Sequence, residues 1–82
     1  MNKQFVDVTS VSYSDGTVRP LLIRWPDGRT FEITRTLHVA ALAAEEYEGI
    51  RYTVLIGKME RYIYRIGSRW YVRAVSTKED NI

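Results

Sequence analysis

The sequence contains no cysteine, a single histidine and only two prolines. Without a thiol there is no disulfide scaffold, no Cys-ligated zinc and no iron–sulfur cluster. The absence also fits a reducing compartment. Long apolar runs are missing too. The longest uninterrupted one, Val39–Ala44, is six residues, whereas a bilayer-spanning helix needs about twenty. The opening Met1-Asn2-Lys3-Gln4 has no apolar segment of the kind a signal peptide carries. A cytoplasmic chain that does not enter a membrane is the expectation.

The motifs of common enzymes are equally scarce. No serine sits in a Gly-x-Ser-x-Gly elbow. The five glycines fall in neither a dinucleotide fingerprint nor a P-loop. The lone imidazole, His38, would need Glu32 or Glu45 to begin a metal site, and the spacing demands neither. Glu45 and Glu48 are three apart and suit a solvated acidic helix end better than a pair of catalytic acids. The expectation is a non-enzymatic chain with no catalytic residue, no cofactor and no metal. At 82 residues the chain makes one domain, residues 1–76, with a polar tail at 77–82 expected to fray. A domain of this size buries roughly 60–65% of its extended surface. That is enough for one core but leaves little room for a deep pocket.

What is present is turn chemistry. Asp15-Gly16 separates Phe5–Tyr13 from Val18–Trp25, and Asp27-Gly28 separates that segment from Arg29–Thr34. Ile56-Gly57-Lys58 joins Ile50–Ile56 to Met59–Ile66, and Gly67-Ser68 leads into Arg69–Val75. Asp-Gly and Gly-x pairs between apolar alternations are hairpin signals. Period two then assigns faces. Leu21, Ile23 and Trp25 share a side, as do Tyr52, Val54 and Ile56, and Trp70 and Val72. In Met59–Ile66 the apolar Tyr62, Tyr64 and Ile66 are assigned inward, against Arg61, Ile63 and Arg65 outward. Trp25, Trp70 and Tyr62 are the expected core anchors. Ile63, Leu55, Tyr71 and Val75 would form an apolar stripe among the outward arginines.

Two segments break the alternation. Val6 and Val8 have one parity and Val11 and Tyr13 the other, which a β-bulge near Thr9-Ser10 would reconcile. Pro20 needs a position without a ladder N–H. The alanine-rich segment Thr36–Tyr47 places Leu37, Ala40, Ala41, Ala44 and Tyr47 on a helical stripe, with Thr36 as N-cap and Gly49 as stop. The expected fold is therefore mainly β with one short helix (α+β). It is a strongly curved antiparallel sheet or small SH3-like open barrel of about six strands, with the helix between strands three and four.

Gly49-Ile50-Arg51-Tyr52-Thr53-Val54-Leu55-Ile56-Gly57, with Tyr62-Ile63-Tyr64 and Gly67-Ser68-Arg69-Trp70-Tyr71-Val72, resembles a group of short Firmicutes proteins. That resemblance spans roughly residues 4–75 and implies a single β-rich domain with an intervening helix. It implies no activity, because the group has none assigned.

Charge is the remaining lead. From Arg51 to Arg73 six basic residues stand against one acid, Glu60, while Glu45–Glu48 holds three acids and no base. Arg51, Arg61, Arg65, Arg69, Tyr71 and Arg73, extended by Lys58, form the candidate binding face. Such a face suits a protein partner or self-association. The alternative is nucleic acid, with arginines on phosphates and Tyr71 stacking on a base.

Overall fold

The structure, a computed structural model, describes residues 3–43 and 48–73. Seven strands fill these residues: β1 (Lys3–Ser12), β2 (Val18–Arg24), β3 (Thr30–Glu32), β4 (Arg35–Ala43), β5 (Glu48–Ile56), β6 (Met59–Ile66) and β7 (Arg69–Arg73). Their order across one antiparallel sheet is β3-β2-β1-β7-β6-β5-β4. The sheet curls into a half-barrel. Two meanders, β1 to β3 and β4 to β7, are joined by the ladder in which Lys3–Val6 face Arg73–Trp70.

The reversals follow the turn chemistry. The first two hairpins are the same device used twice. Tyr13 N donates to Thr17 O at 2.8 Å and Gly16 N to Tyr13 O at 3.0 Å. Trp25 N likewise donates to Arg29 O, and Gly28 N to Trp25 O, each at 2.9 Å. Both are three-residue loops with glycine last, the geometry of a type I turn closed by a glycine bulge. Each aspartate fixes its turn by accepting the backbone N–H two residues on, Thr17 N on Asp15 and Arg29 N on Asp27, at 3.0 Å. The last two hairpins are two-residue loops, Gly57-Lys58 and Gly67-Ser68, with glycine in the first central position.

The expected bulge is present. Pairing between β1 and β2 slips between Thr9 and Ser10, with Leu21 as the extra residue on the partner strand. Pro20, which brings no N–H, lies beside that irregularity and is fully buried.

The expected helix is not there. Thr36–Ala43 pairs residue by residue with β5, with a second irregularity at Leu37. Residues 44–47, the rest of the expected helix, lie outside the described residues. The fold is all-β rather than α+β, with seven strands rather than about six. The physical reason is tertiary override. Alanine's helix propensity is worth only tenths of a kcal/mol per residue, while each β4 residue placed against β5 satisfies backbone groups that the neighbouring strand leaves open.

The concave face holds the core: Val6, Ile23, Trp25, Tyr52, Val54, Ile63, Trp70 and Val72. Tyr52 and Trp70 pack with centroids 5.0 Å apart. Among the described side chains, none from β4 belongs to this cluster. The half-barrel is pinned where β3 passes into β4. Ile33 N donates to Leu21 O of β2, and Thr34 N to Leu55 O of β5, so two consecutive residues tie the sheet's two ends together.

Candidate interaction site

Register determines where the expected binding residues go. Phe5 faces Tyr71, Tyr71 faces Tyr64, Tyr64 faces Arg51 and Arg51 faces Ala40, a continuous row across five strands. This row lies on the convex face. Arg69 and Arg73 flank Tyr71 at period two and share that face. Arg61 and Arg65 do not. Arg61 faces Val54 and Arg65 faces Trp70, both core residues, so these two arginines are on the concave side. The six candidates are thus divided between opposite faces: Arg51, Arg69, Tyr71 and Arg73 on one, Arg61 and Arg65 on the other. Lys58 is exposed in the β5–β6 turn.

This division reverses the facing expected for β6. Ile63 is fully buried in the core, whereas Tyr62 is 52% exposed and is not a core anchor. With Ile63 on the concave side, the expected apolar stripe does not assemble: Leu55 is half-buried on the convex side with Tyr71, and Val75 lies outside the described residues. Arg65 tolerates the concave side because its Nε donates to Tyr52 Oη at 3.0 Å and its Nη1 to the Gly67 carbonyl at 2.9 Å. Its guanidinium lies 5.9 Å from both the Tyr52 and Trp70 rings. The arginine closes the rim of the core with its stem and keeps its head hydrogen-bonded.

Tyr71 is fully buried. It stacks on Tyr64 at 5.0 Å and meets Phe5 edge-on at 5.7 Å. Lys3 Nζ lies 5.5 Å from the Tyr71 ring, and the Arg69 guanidinium 3.8 Å from the Phe5 ring. Arg51 lies over the exposed Tyr62 ring at 4.7 Å. The convex face is therefore a second, smaller aromatic core roofed by cations. Among the described residues the one ion pair is Arg29 with Asp27, at 2.8 Å. Glu60 meets Arg61 only through its backbone carbonyl.

His38 is exposed on β4 opposite Thr53. No group of three or more His, Asp or Glu side chains that could hold a metal occurs among the described residues. Nor is any helix there long and apolar enough to cross a membrane. Glu45 lies outside the described residues.

Two features went unflagged in the sequence. The first is the outer edge of β4, which among the described residues pairs only with β5. From Thr36 to Ala43 this strand carries no Lys, Arg, Asp or Glu. Leu37 is 39% exposed and Val39 49%. The unbroken absence of charge was its signal, hidden by the helical spacing of Leu37, Ala40, Ala41 and Ala44. The second is an open cleft of about 450 Å³ at the end of the β1–β7 ladder, lined in part by Phe5, Val8, Arg24, Pro26, Arg69 and Trp70. The mismatch between a long first strand and a last strand cut short by Gly67-Ser68 could have pointed to it.

No protein-family model, curated protein or solved structure matches this chain. What stands is a small β-rich domain whose candidate surfaces are defined by its own geometry.

Proposed function

We propose that this chain is a non-enzymatic interaction domain that self-associates through the free edge of β4. The observation that supports it is the contrast between the sheet's two outer strands. β3 is three residues long, and both Thr30 and Glu32 are exposed, so it offers little to pair with. β4 is nine residues long, neutral from Thr36 to Ala43, and exposes Leu37 and Val39. Natural edge strands are normally blunted by charge, proline or brevity. β4 has a bulge at Leu37 but neither charge nor proline within that run. Because it is neutral, a second β4 laid antiparallel beside it meets no like charge. A two-fold axis through the pair makes the contact self-complementary. The same pairing would cover apolar side chains that make no contribution to the monomer's core.

Light scattering on a size-exclusion column tests this. The expected species is a dimer, and Val39→Lys is expected to convert it to a monomer with unchanged circular dichroism. A wild-type chain that elutes at 9.6 kDa at the highest attainable concentration overturns the reading. We take the cytoplasm as its compartment, which the cysteine-free sequence supports, and the short Firmicutes proteins it resembles as its kin.

Nucleic-acid binding is less well supported. Its stacking platform, Tyr71, is buried, and two of its arginines are on the other face. Binding of a labelled single strand that weakens steeply with salt would restore it.

A further inference from the structure

We infer that the cleft beside β1 is a second docking site, one that accepts an extended peptide bearing acidic side chains as an added strand. β1 runs from Lys3 to Ser12, but β7 accompanies it only as far as the pair Val6–Trp70. From Asp7 to Ser12 the strand is paired with β2 on one side and with no described strand on the other. The peptide groups pointing that way form a ladder without a partner among the described residues, the requirement for recognition by strand addition. The cleft opens on the start of this edge, at Asp7 and Val8.

Its walls select the ligand. Val6, Val8, Trp70 and Pro26 give it an apolar lining, and the side chains of Arg24 and Arg69 bring two guanidinium groups. Asp7 is the one carboxylate there. Arg24 faces Asp7 in register, yet neither arginine makes an ion pair with a described residue. Arg69 is held over Phe5 at 3.8 Å, which orients its guanidinium without neutralising it. Two cations against one acid leave the cleft positive.

A strand has period two. A peptide placed along Asp7–Ser12 therefore sends alternate side chains toward the face of Val6, Val8 and Trp70 and toward the face of Asp7, Arg24 and Arg69. Apolar residues suit the first and carboxylates the second, where a planar guanidinium can take a carboxylate through two parallel hydrogen bonds. The fitting sequence alternates apolar and acidic residues. It would occupy the line that β7 would have continued had Gly67-Ser68 not turned the chain away.

The test uses a fluorescein-labelled hexapeptide of alternating valine and glutamate, titrated into the full chain and followed by fluorescence anisotropy. Amide hydrogen exchange is measured on the same samples. Saturable binding is expected, with slowed exchange at Asp7–Ser12 and none of that slowing in β4. Replacing both exposed arginines, Arg24→Gln with Arg69→Gln, should weaken binding about tenfold or more, the loss of charge-assisted hydrogen bonds. Methylating alternate peptide nitrogens should abolish it. A methylated peptide that binds as well as the parent, or protection that appears on β4 instead of β1, overturns the proposal. So does an absence of saturation below about 1 mM, the affinity of an interaction worth only some 4 kcal/mol. None of these readouts depends on whether the chain dimerises, because the β4 substitution Val39→Lys can be carried through every arm.

Discussion

The two faces of this sheet bury aromatic side chains in different ways. The concave face does it in the ordinary way, with Ile63, Val54 and Ile23 fully buried around Trp70 and Tyr52. The convex face does it with a single row, Phe5, Tyr71 and Tyr64, with the Lys3 ammonium over Tyr71 and the Arg69 guanidinium over Phe5. One face excludes water with hydrocarbon packed on hydrocarbon. The other stacks ring on ring and adds cations over the row's end. A sheet that packs aromatic side chains on both faces, and carries arginines on both, leaves hydrophobicity alone unable to indicate which way a strand faces.

β6 gives the sharpest way to break that comparison. Ile63→Lys places an unpaired charge in the concave core and should cost about 4 kcal/mol or more, enough to unfold a domain of this size. Its neighbour Tyr62 is on the convex face but half exposed, and Tyr62→Lys should stay within about 0.5 kcal/mol. Urea denaturation of both variants decides it, and equal losses would show the facing of β6 to be wrong. Next in size are Trp70→Ala and Tyr71→Ala. If the convex row is a true second core, each should cost about 3–5 kcal/mol. A Tyr71 loss near zero, with Trp70 costly, would reduce the convex face to decoration.

The smallest effect belongs to neither face. Asp15 and Asp27 each have a carboxyl pKa below the usual value, chiefly because a backbone N–H, from Thr17 and from Arg29, donates to the carboxylate. Asp15 gains further from the Thr17 hydroxyl. A pKa lower in the folded than in the unfolded chain means stability that is present above the ordinary aspartate pKa and lost as pH falls through the folded value. Stability should therefore decline slightly on acidification below about pH 4. Asp15→Asn with Asp27→Asn should flatten that part of the profile. An unchanged slope would show that the turns do not depend on the ionised form.

Much of the fold was legible because its signals were local. Asp15-Gly16 and Asp27-Gly28 announced their reversals, and the parity break from Val8 to Val11 announced the slip at Thr9-Ser10. In β5 and β7, alternation gave Tyr52, Val54, Trp70 and Val72 their correct side. It failed in β6 because Arg61 and Arg65 are polar only at their tips, and Arg65 contributes its stem to the rim of the core. The segment Thr36–Ala43 failed for the opposite reason. Its local preference was genuine but weak, and the partner that overrode it, β5, comes later in the chain. The candidate binding set failed as a set. Charge spacing located the arginines along the chain, but only the cross-strand register could show that they lie on two faces. The cleft had only an indirect signal, the unequal lengths of the first and last strands, since it arises from where two strands stop keeping company.

The joint at Ile33 and Thr34 has a bearing on how the chain reaches this form. Each meander can assemble from neighbouring hairpins, which form in microseconds. The β1–β7 ladder instead unites the two ends of the sequence and must wait for a long loop to close. The molecule is thus a hoop with two clasps, one covalent at Ile33-Thr34 and one hydrogen-bonded at Lys3–Val6. Cleaving the covalent clasp leaves two meanders that still share the other clasp and one core, so fragments 1–33 and 34–82 should find each other in solution and complete the hoop without a continuous chain.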